Sequence, residues 1–186
     1  MAPLPSPLTT CAMKPGDHPD FFRLPAPEGR SRESTLVLDK AGAFWHDGAR
    51  IEHAPLDQAL RQWIGRHPHD GRYILTNGYD WTYLTVEDVP YLVRSTRLTD
   101  SAIELLLNDG TEEAWGIDRT TVDTAGRLQV MVKLSSPFGP FPAKFSSHAQ
   151  QGLEPLLHEE GGRIVIRTDF GTFPLPCEHN APAHRR

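Results

Sequence analysis

Leu38-Asp39-Lys40-Ala41-Gly42-Ala43-Phe44 reads like Val122-Asp123-Thr124-Ala125-Gly126-Arg127-Leu128, and this echo decides the fold. A second echo comes later in the same order: Asp70-Gly71-Arg72-Tyr73-Ile74-Leu75-Thr76 reads like Gly161-Gly162-Arg163-Ile164-Val165-Ile166-Arg167. In each half a helical stretch lies between the two motifs. Repetition of this kind predicts an α+β protein built from two similar repeated units of antiparallel strands, each with one helix. Two lobes leave a seam, and seams are where ligands or partners bind.

Outward from the first motif, Asp47-Gly48 marks a second tight turn, because the pair tolerates the positive φ of a hairpin. Ala54-Pro55 opens a helix, with Leu56, Ala59, Leu60, Trp63 and Ile64 on one face. Gly65 and Pro68 end it, and hairpin strands are expected through Tyr73 to Leu75 and Trp81 to Val86. The middle of the chain reads as strands over Tyr91 to Val93, Ile103 to Leu107 and Ala114-Trp115. In the second half, Ser135-Ser136-Pro137-Phe138-Gly139-Pro140-Phe141-Pro142 looks like an insertion. A second helix is expected from about Lys144 to Glu159, interrupted by Gly152 and Pro155. The expected division is a disordered or loosely docked tail over 1–34, lobes over 35–118 and 119–176, and a C-terminal tail over 177–186. Within the first tail, Phe21-Phe22 is the exception: the two aromatics could dock on the body or on a partner, and docking on the protein's own core is the favoured expectation.

A chain of 186 residues with 38% hydrophobic and 23% charged residues is ordinary for a globular domain. Its net charge of −5, with basic residues scattered, argues against nucleic acid as a partner. Two cysteines, Cys11 and Cys177, are too few for a disulfide-held secreted fold, which favours the cytoplasm. A bridge between them would tie two tails together. Leu8-Thr9-Thr10-Cys11 lacks the apolar run of a lipoprotein signal, and no stretch approaches the ~20 apolar residues that cross a bilayer.

No catalytic signature stands out. No serine sits in a Gly-x-Ser-x-Gly elbow, no Gly-x-x-x-x-Gly-Lys phosphate loop occurs, and no cofactor is expected. His67-Pro68-His69-Asp70 places three potential metal ligands in one turn, but without a Cys-x-x-Cys or His-Glu-x-x-His it reads as a solvated loop. Glu87-Asp88 could bind a cation or an amine, or could cap a turn. Phe138 and Phe141 lie in a proline-stiffened loop and are either a partner contact or packing for the seam. Tyr79, Trp81, Tyr83 and Trp115 pose the same choice; Trp81 and Tyr83 share one face of their strand.

The run from Leu38 to Tyr91 resembles the bacterial domain-of-unknown-function 1285 family (DUF1285). The similarity is carried by Asp39 to Trp45, the helix from Pro55 to Ile64, Tyr73-Ile74-Leu75-Thr76 and, above all, Val86-Glu87-Asp88-Val89-Pro90-Tyr91. It extends through Gly152-Leu153-Glu154 and Arg163 to Leu175, and covers about residues 35–176. The resemblance implies two lobes of repeated α+β units, a ligand cleft between them and a signalling role, with no established reaction. Arg32-Glu33-Ser34-Thr35 stands where members of the family carry a Cys-Gly-acidic segment, so the ligand could differ here.

The resulting expectation is a cytoplasmic, non-catalytic binding protein that recognises a small molecule or an extended peptide at the seam. Trp81 and Trp115 would supply apolar contact, Glu87 and Asp88 polar orientation, and Arg163 an anchor for a carboxylate. One alternative is an interaction module that joins a protein partner through Phe138 and Phe141. The other is a hydrolase with a dispersed site.

Overall fold

A computed structural model describes residues 14–123 and 126–175. Cys11, Cys177 and the C-terminal tail lie outside the described residues.

Three hydrogen bonds of the first Asp-x-Ala-Gly motif recur in the second. The Asp39 N–H donates to the Ala43 carbonyl at 3.0 Å, the Gly42 N–H to the Asp39 carbonyl at 2.9 Å, and the Ala43 N–H to Asp39 Oδ1 at 2.8 Å. Asp123, Gly126 and Arg127 repeat these bonds at 3.0, 2.9 and 2.9 Å. Both glycines have positive φ, +80° and +74°, where a side chain would be strained. The turn joins β1 (Val37–Leu38) to β2 (Phe44–His46), and later β11 (Thr120–Val122) to β12 (Leu128–Val132).

β3 (Ala49–Arg50) completes a hairpin with β2 and leads into α1 (Ala54–Gln62). Burying Leu60 against the core holds α1, while Leu56 stays outside. Next come β4 (Ile64–Arg66), β5 (Tyr73–Thr76) and β6 (Trp81–Tyr83), a three-stranded antiparallel sheet. β7 (Thr85–Val86) returns to pair parallel with β1.

β8 (Tyr91–Leu98), β9 (Ile103–Leu107) and β10 (Glu112–Ala114) form an antiparallel meander. β13 (Phe141–Phe145) pairs antiparallel with β12 and parallel with β8, so one six-stranded sheet runs β10-β9-β8-β13-β12-β11. The expected boundary near 118/119 therefore falls within a sheet to which both halves contribute. α2 (Ser147–Leu153) leads to β14 (Leu157–Glu160), β15 (Arg163–Thr168) and β16 (Gly171–Pro174), another three-stranded antiparallel sheet.

The class is α+β with mostly antiparallel pairing. The expected pair of similar units is not confirmed: α1 and α2 each lead to three antiparallel strands, but β1 pairs with β2 and β7 whereas β11 pairs with β12 alone at the sheet edge. One core cluster draws Leu38, Phe44 and Leu60 from the first half, and Phe141, Leu153 and Ile166 from the second.

The region around β13 departs from the sequence expectation twice. The segment over 135–142 is not wholly an inserted loop: Phe141 begins a strand in which Phe141, Ala143 and Phe145 are buried in alternation. α2 is also shorter than the periodicity suggests. Lys144 belongs to β13, the Ser146 hydroxyl caps α2 by accepting from the Ala149 N–H at 3.1 Å, and Pro155 sits in a single 3-10 turn, Glu154–Leu156, that closes the helical stretch. Among the described residues, no helix is long and apolar enough to cross a membrane.

Asp39 also accepts from the Ala41 N–H at 2.9 Å and the Trp45 indole at 2.8 Å. Burial pushes its carboxyl upward, but the hydrogen bonds from Ala43, Trp45 and Ala41 outweigh burial and hold it below the usual range. A depressed folded-state value adds stability above the unfolded value, ~3.9, which is lost as pH falls through the folded value. Asp39→Ala is expected to cost about 2 kcal/mol in urea unfolding at pH 7. The wild-type chain should lose that advantage below about pH 4. An unchanged difference between the two chains from pH 6 to pH 3 would refute this assignment.

Candidate functional site

Residues 14–24, ahead of β1, are packed on the body. The 3-10 turns Pro15–Asp17 and Phe21–Arg23 lie against the β4-β5-β6 sheet. The Gly16 N–H donates to the Gly78 carbonyl at 2.7 Å, and a Cβ at Gly16 would stand 2.9 Å from that oxygen. Any side chain there would lift the arm away. Phe21, 4% exposed, packs with Ile74 and Trp81 in a hydrophobic cluster distinct from the main core. Its docking on the body agrees with the expectation for Phe21-Phe22.

Phe22 is the hub of the site. Its ring centroid lies 5.9 Å from His67, 6.0 Å from Trp81 and 5.9 Å from Phe138, edge-on to His67 and Phe138. Phe138 is held close because β4 offers it a glycine: a Cβ at Gly65 would come within 3.2 Å of the Phe138 ring. The Arg66 guanidinium lies 4.5 Å from the Tyr73 ring centroid and donates to its hydroxyl at 2.9 Å. Between these groups runs an open groove of about 820 Å³, lined by Lys14, Phe21, Phe22, Arg66, His67 and Phe138 among others. Its walls come from the arm, from the β4–β5 region and from the loop before β13.

His67 is buried, not the solvated loop residue that its polar neighbours suggest. Its Nε2 sits 3.2 Å from the Phe22 carbonyl, which can only accept, so that nitrogen carries the proton. Its Nδ1 is 3.1 Å from Asp70 Oδ1, but the alignment misses a hydrogen bond and the buried atom has no partner. Asp70 itself is well served: the Tyr83 hydroxyl donates at 2.7 Å and holds the Asp70 carboxyl below its usual range. The same bond raises the Tyr83 hydroxyl.

Of the residues singled out from sequence, Trp81 and Phe138 meet here through Phe22. The others are dispersed. Trp115 is buried, its indole donating to Thr120 at 2.7 Å and its ring against Phe145. Phe141 is 1% exposed, packed on Tyr91 and Tyr73, so only Phe138 of that pair faces the groove. Asp88 pairs with Lys144, and Glu87 accepts weakly from the Lys40 N–H at 3.4 Å; both serve a turn beside β1 and β13. Arg163 begins β15 on the exposed side, opposite Glu160. Sequence reasoning passes over Phe22, His67 and Arg66 as site residues. Phe22 stands out as an aromatic, but nothing in its polar surroundings shows where it docks.

The site has rings, two cations and one acid, Asp17, and no paired nucleophile and base. Among the described residues, no three His, Cys, Asp or Glu side chains converge as a metal site.

Two solved structures share this fold. One is a DUF1285 family protein from Silicibacter pomeroyi DSS-3, with a TM-score of 0.61 and 15% identity, covering 83% of this chain and 91% of that one. The other is a DUF1285 family protein from Shewanella baltica OS155, with a TM-score of 0.50 and 15% identity, covering 63% of this chain and 87% of that one. No family model and no curated protein matches the sequence. At such identity the likeness is one of fold, and it agrees with the resemblance carried by Leu38 to Tyr91.

Proposed function

We propose that this chain is a non-catalytic binding protein that takes a small molecule or an extended peptide in the groove beside Phe22, His67 and Phe138. The groove's shape and lining carry the reading. At about 820 Å³ it falls within the ~300–1,000 Å³ of ordinary ligand sites, and it combines apolar rings with few polar groups. It also draws walls from both halves of the chain. Arg66, rather than Arg163, is then the anchor for an acidic ligand group, its guanidinium already oriented by Tyr73. The reading includes a cytoplasmic setting, favoured by two cysteines in 186 residues, and a signalling role in which occupancy is the message.

A thermal-shift screen of the purified chain against metabolites, nucleotides and short peptides tests this. A ligand at about a hundred times its Kd stabilises by roughly 2.7 kcal/mol. Phe138→Ser should keep the fold and remove at least nine-tenths of the affinity for any compound that shifts the wild-type midpoint. Full affinity in a folded Phe138→Ser chain would move the site away from this groove.

A further inference from the structure

Resting on that groove, we propose that its partner is an extended peptide bearing two adjacent aromatic side chains, and that residues 14–24 are a tethered stand-in which the partner displaces. The arm is built to come away. It joins none of the four sheets; its backbone is held chiefly by the Gly16–Gly78 bond and by His67 on the Phe22 carbonyl. Phe21 belongs to a cluster separate from the main core, so releasing it leaves that core whole. Residues 23–25 and 27–31 are exposed, and the chain is anchored again at Arg32, whose carbonyl accepts from the Tyr83 N–H at 2.8 Å. That stretch is a hinge held to the body chiefly by the Arg32 guanidinium, which donates to the Pro25 carbonyl at 3.1 Å.

The docked arm also serves its seat poorly. Arg32 Nε, His67 Nδ1 and Trp81 Nε1 are buried without hydrogen-bond partners. Two of these side chains, His67 and Trp81, pack on Phe22, and the Arg32 guanidinium lies 4.5 Å over Trp81. Trp81 and His67 are 6% and 7% exposed. Buried polar groups in a settled core are nearly always paired, so unpaired nitrogens on both rings that hold Phe22 mark a seat shaped for another occupant. A peptide is the fitting class because main-chain groups already make the contacts: a carbonyl reads His67 and an N–H reads Gly78. Two aromatics in sequence are required because Phe21 and Phe22, edge-to-face at 5.0 Å, enter neighbouring slots. The open space toward Phe138 leaves room for a longer side chain or a third residue.

The test uses the full chain carrying Phe21→Ser and Phe22→Ser, titrated by calorimetry with a synthetic peptide of the sequence of residues 14–24. The variant should bind the peptide at least tenfold more tightly than the wild-type chain, whose own arm competes. A peptide with both phenylalanines replaced by serine should not bind. Gly16→Val, which pushes a side chain into Gly78, loosens the arm without touching the rings and should also raise affinity for the peptide. No binding to either folded variant, or equal binding to wild type and variants, overturns the proposal. A small molecule that still needs Phe138 would then leave the groove reading standing. Wild-type dimers in light scattering that disappear in the double variant would make the occupant a second copy's arm, and would overturn the tethered form.

Discussion

Phe141→Ala is expected to remove about 3–5 kcal/mol of unfolding free energy, whereas Phe138→Ala, three positions earlier, should cost less than about 2 kcal/mol. The two rings look equivalent in a Pro-Phe-Gly-Pro-Phe-Pro run, and the fold separates them. Phe141 opens β13, where β12 and β8 enclose it, with Tyr91 edge-on at 5.5 Å and the Arg66 guanidinium 5.8 Å from its ring centroid. Truncation leaves a cavity that neighbours from two strands cannot collapse into. Phe138 rests half-buried on Gly65, with groove on its other side, so its loss is met partly by water. Urea unfolding of both variants decides the matter. Similar costs would mean that Phe138 is a core residue and not a groove wall.

The second large effect is expected at Lys133. Its backbone has φ +57°, uncommon for a residue with a side chain. Its Nζ lies 2.7 Å from Asp109 Oδ2, beside Thr111 and 3.7 Å from Glu113. The Asp109 side chain is almost fully buried, so its charge depends on this ammonium and on the Thr111 groups that donate to it. Lys133→Met should cost about 3–5 kcal/mol, because an uncompensated buried carboxylate is far worse than a missing pair. Adding Asp109→Asn to Lys133→Met should recover part of that loss, and a double-mutant cycle measures the coupling. Additive costs would show that the two side chains do not stabilise each other.

Local features of the fold were legible in the sequence. Asp39 and Asp123 announce their turns because an aspartate before Ala-Gly can accept from the backbone N–H groups it bends toward itself. The periodic spacing of Leu60, Trp63 and Ile64 places α1, although Leu56 in the same pattern stays exposed. β13 was hidden by Pro142, which reads as a strand breaker. It is tolerated because it precedes the residues that pair with β8. The parallel β8–β13 pairing itself leaves no trace, since contacts between distant segments have no periodicity of their own. The site was half legible for the same reason. Trp81 and Phe138 stand out as rings, but it is Phe22, arriving from a proline-rich arm, that brings them together and buries His67.

The middle of the six-stranded sheet sets the order in which this chain can mature. Tyr91 in β8 takes Ala143 as its partner, so the inner edge of β8 waits for synthesis to run beyond β13. Until then the β8-β9-β10 meander leaves the ribosome with its β8 edge unpaired as well as its β10 edge, the kind of surface on which nascent chains aggregate. Such distant pairing also raises contact order, which slows folding, because the entropy of closing a long loop is lost before the contacts that reward it are made. The seam that joins the two halves therefore cannot close before β13 has emerged, and a newly made chain exposes the β8 edge to chaperones and proteases until it does.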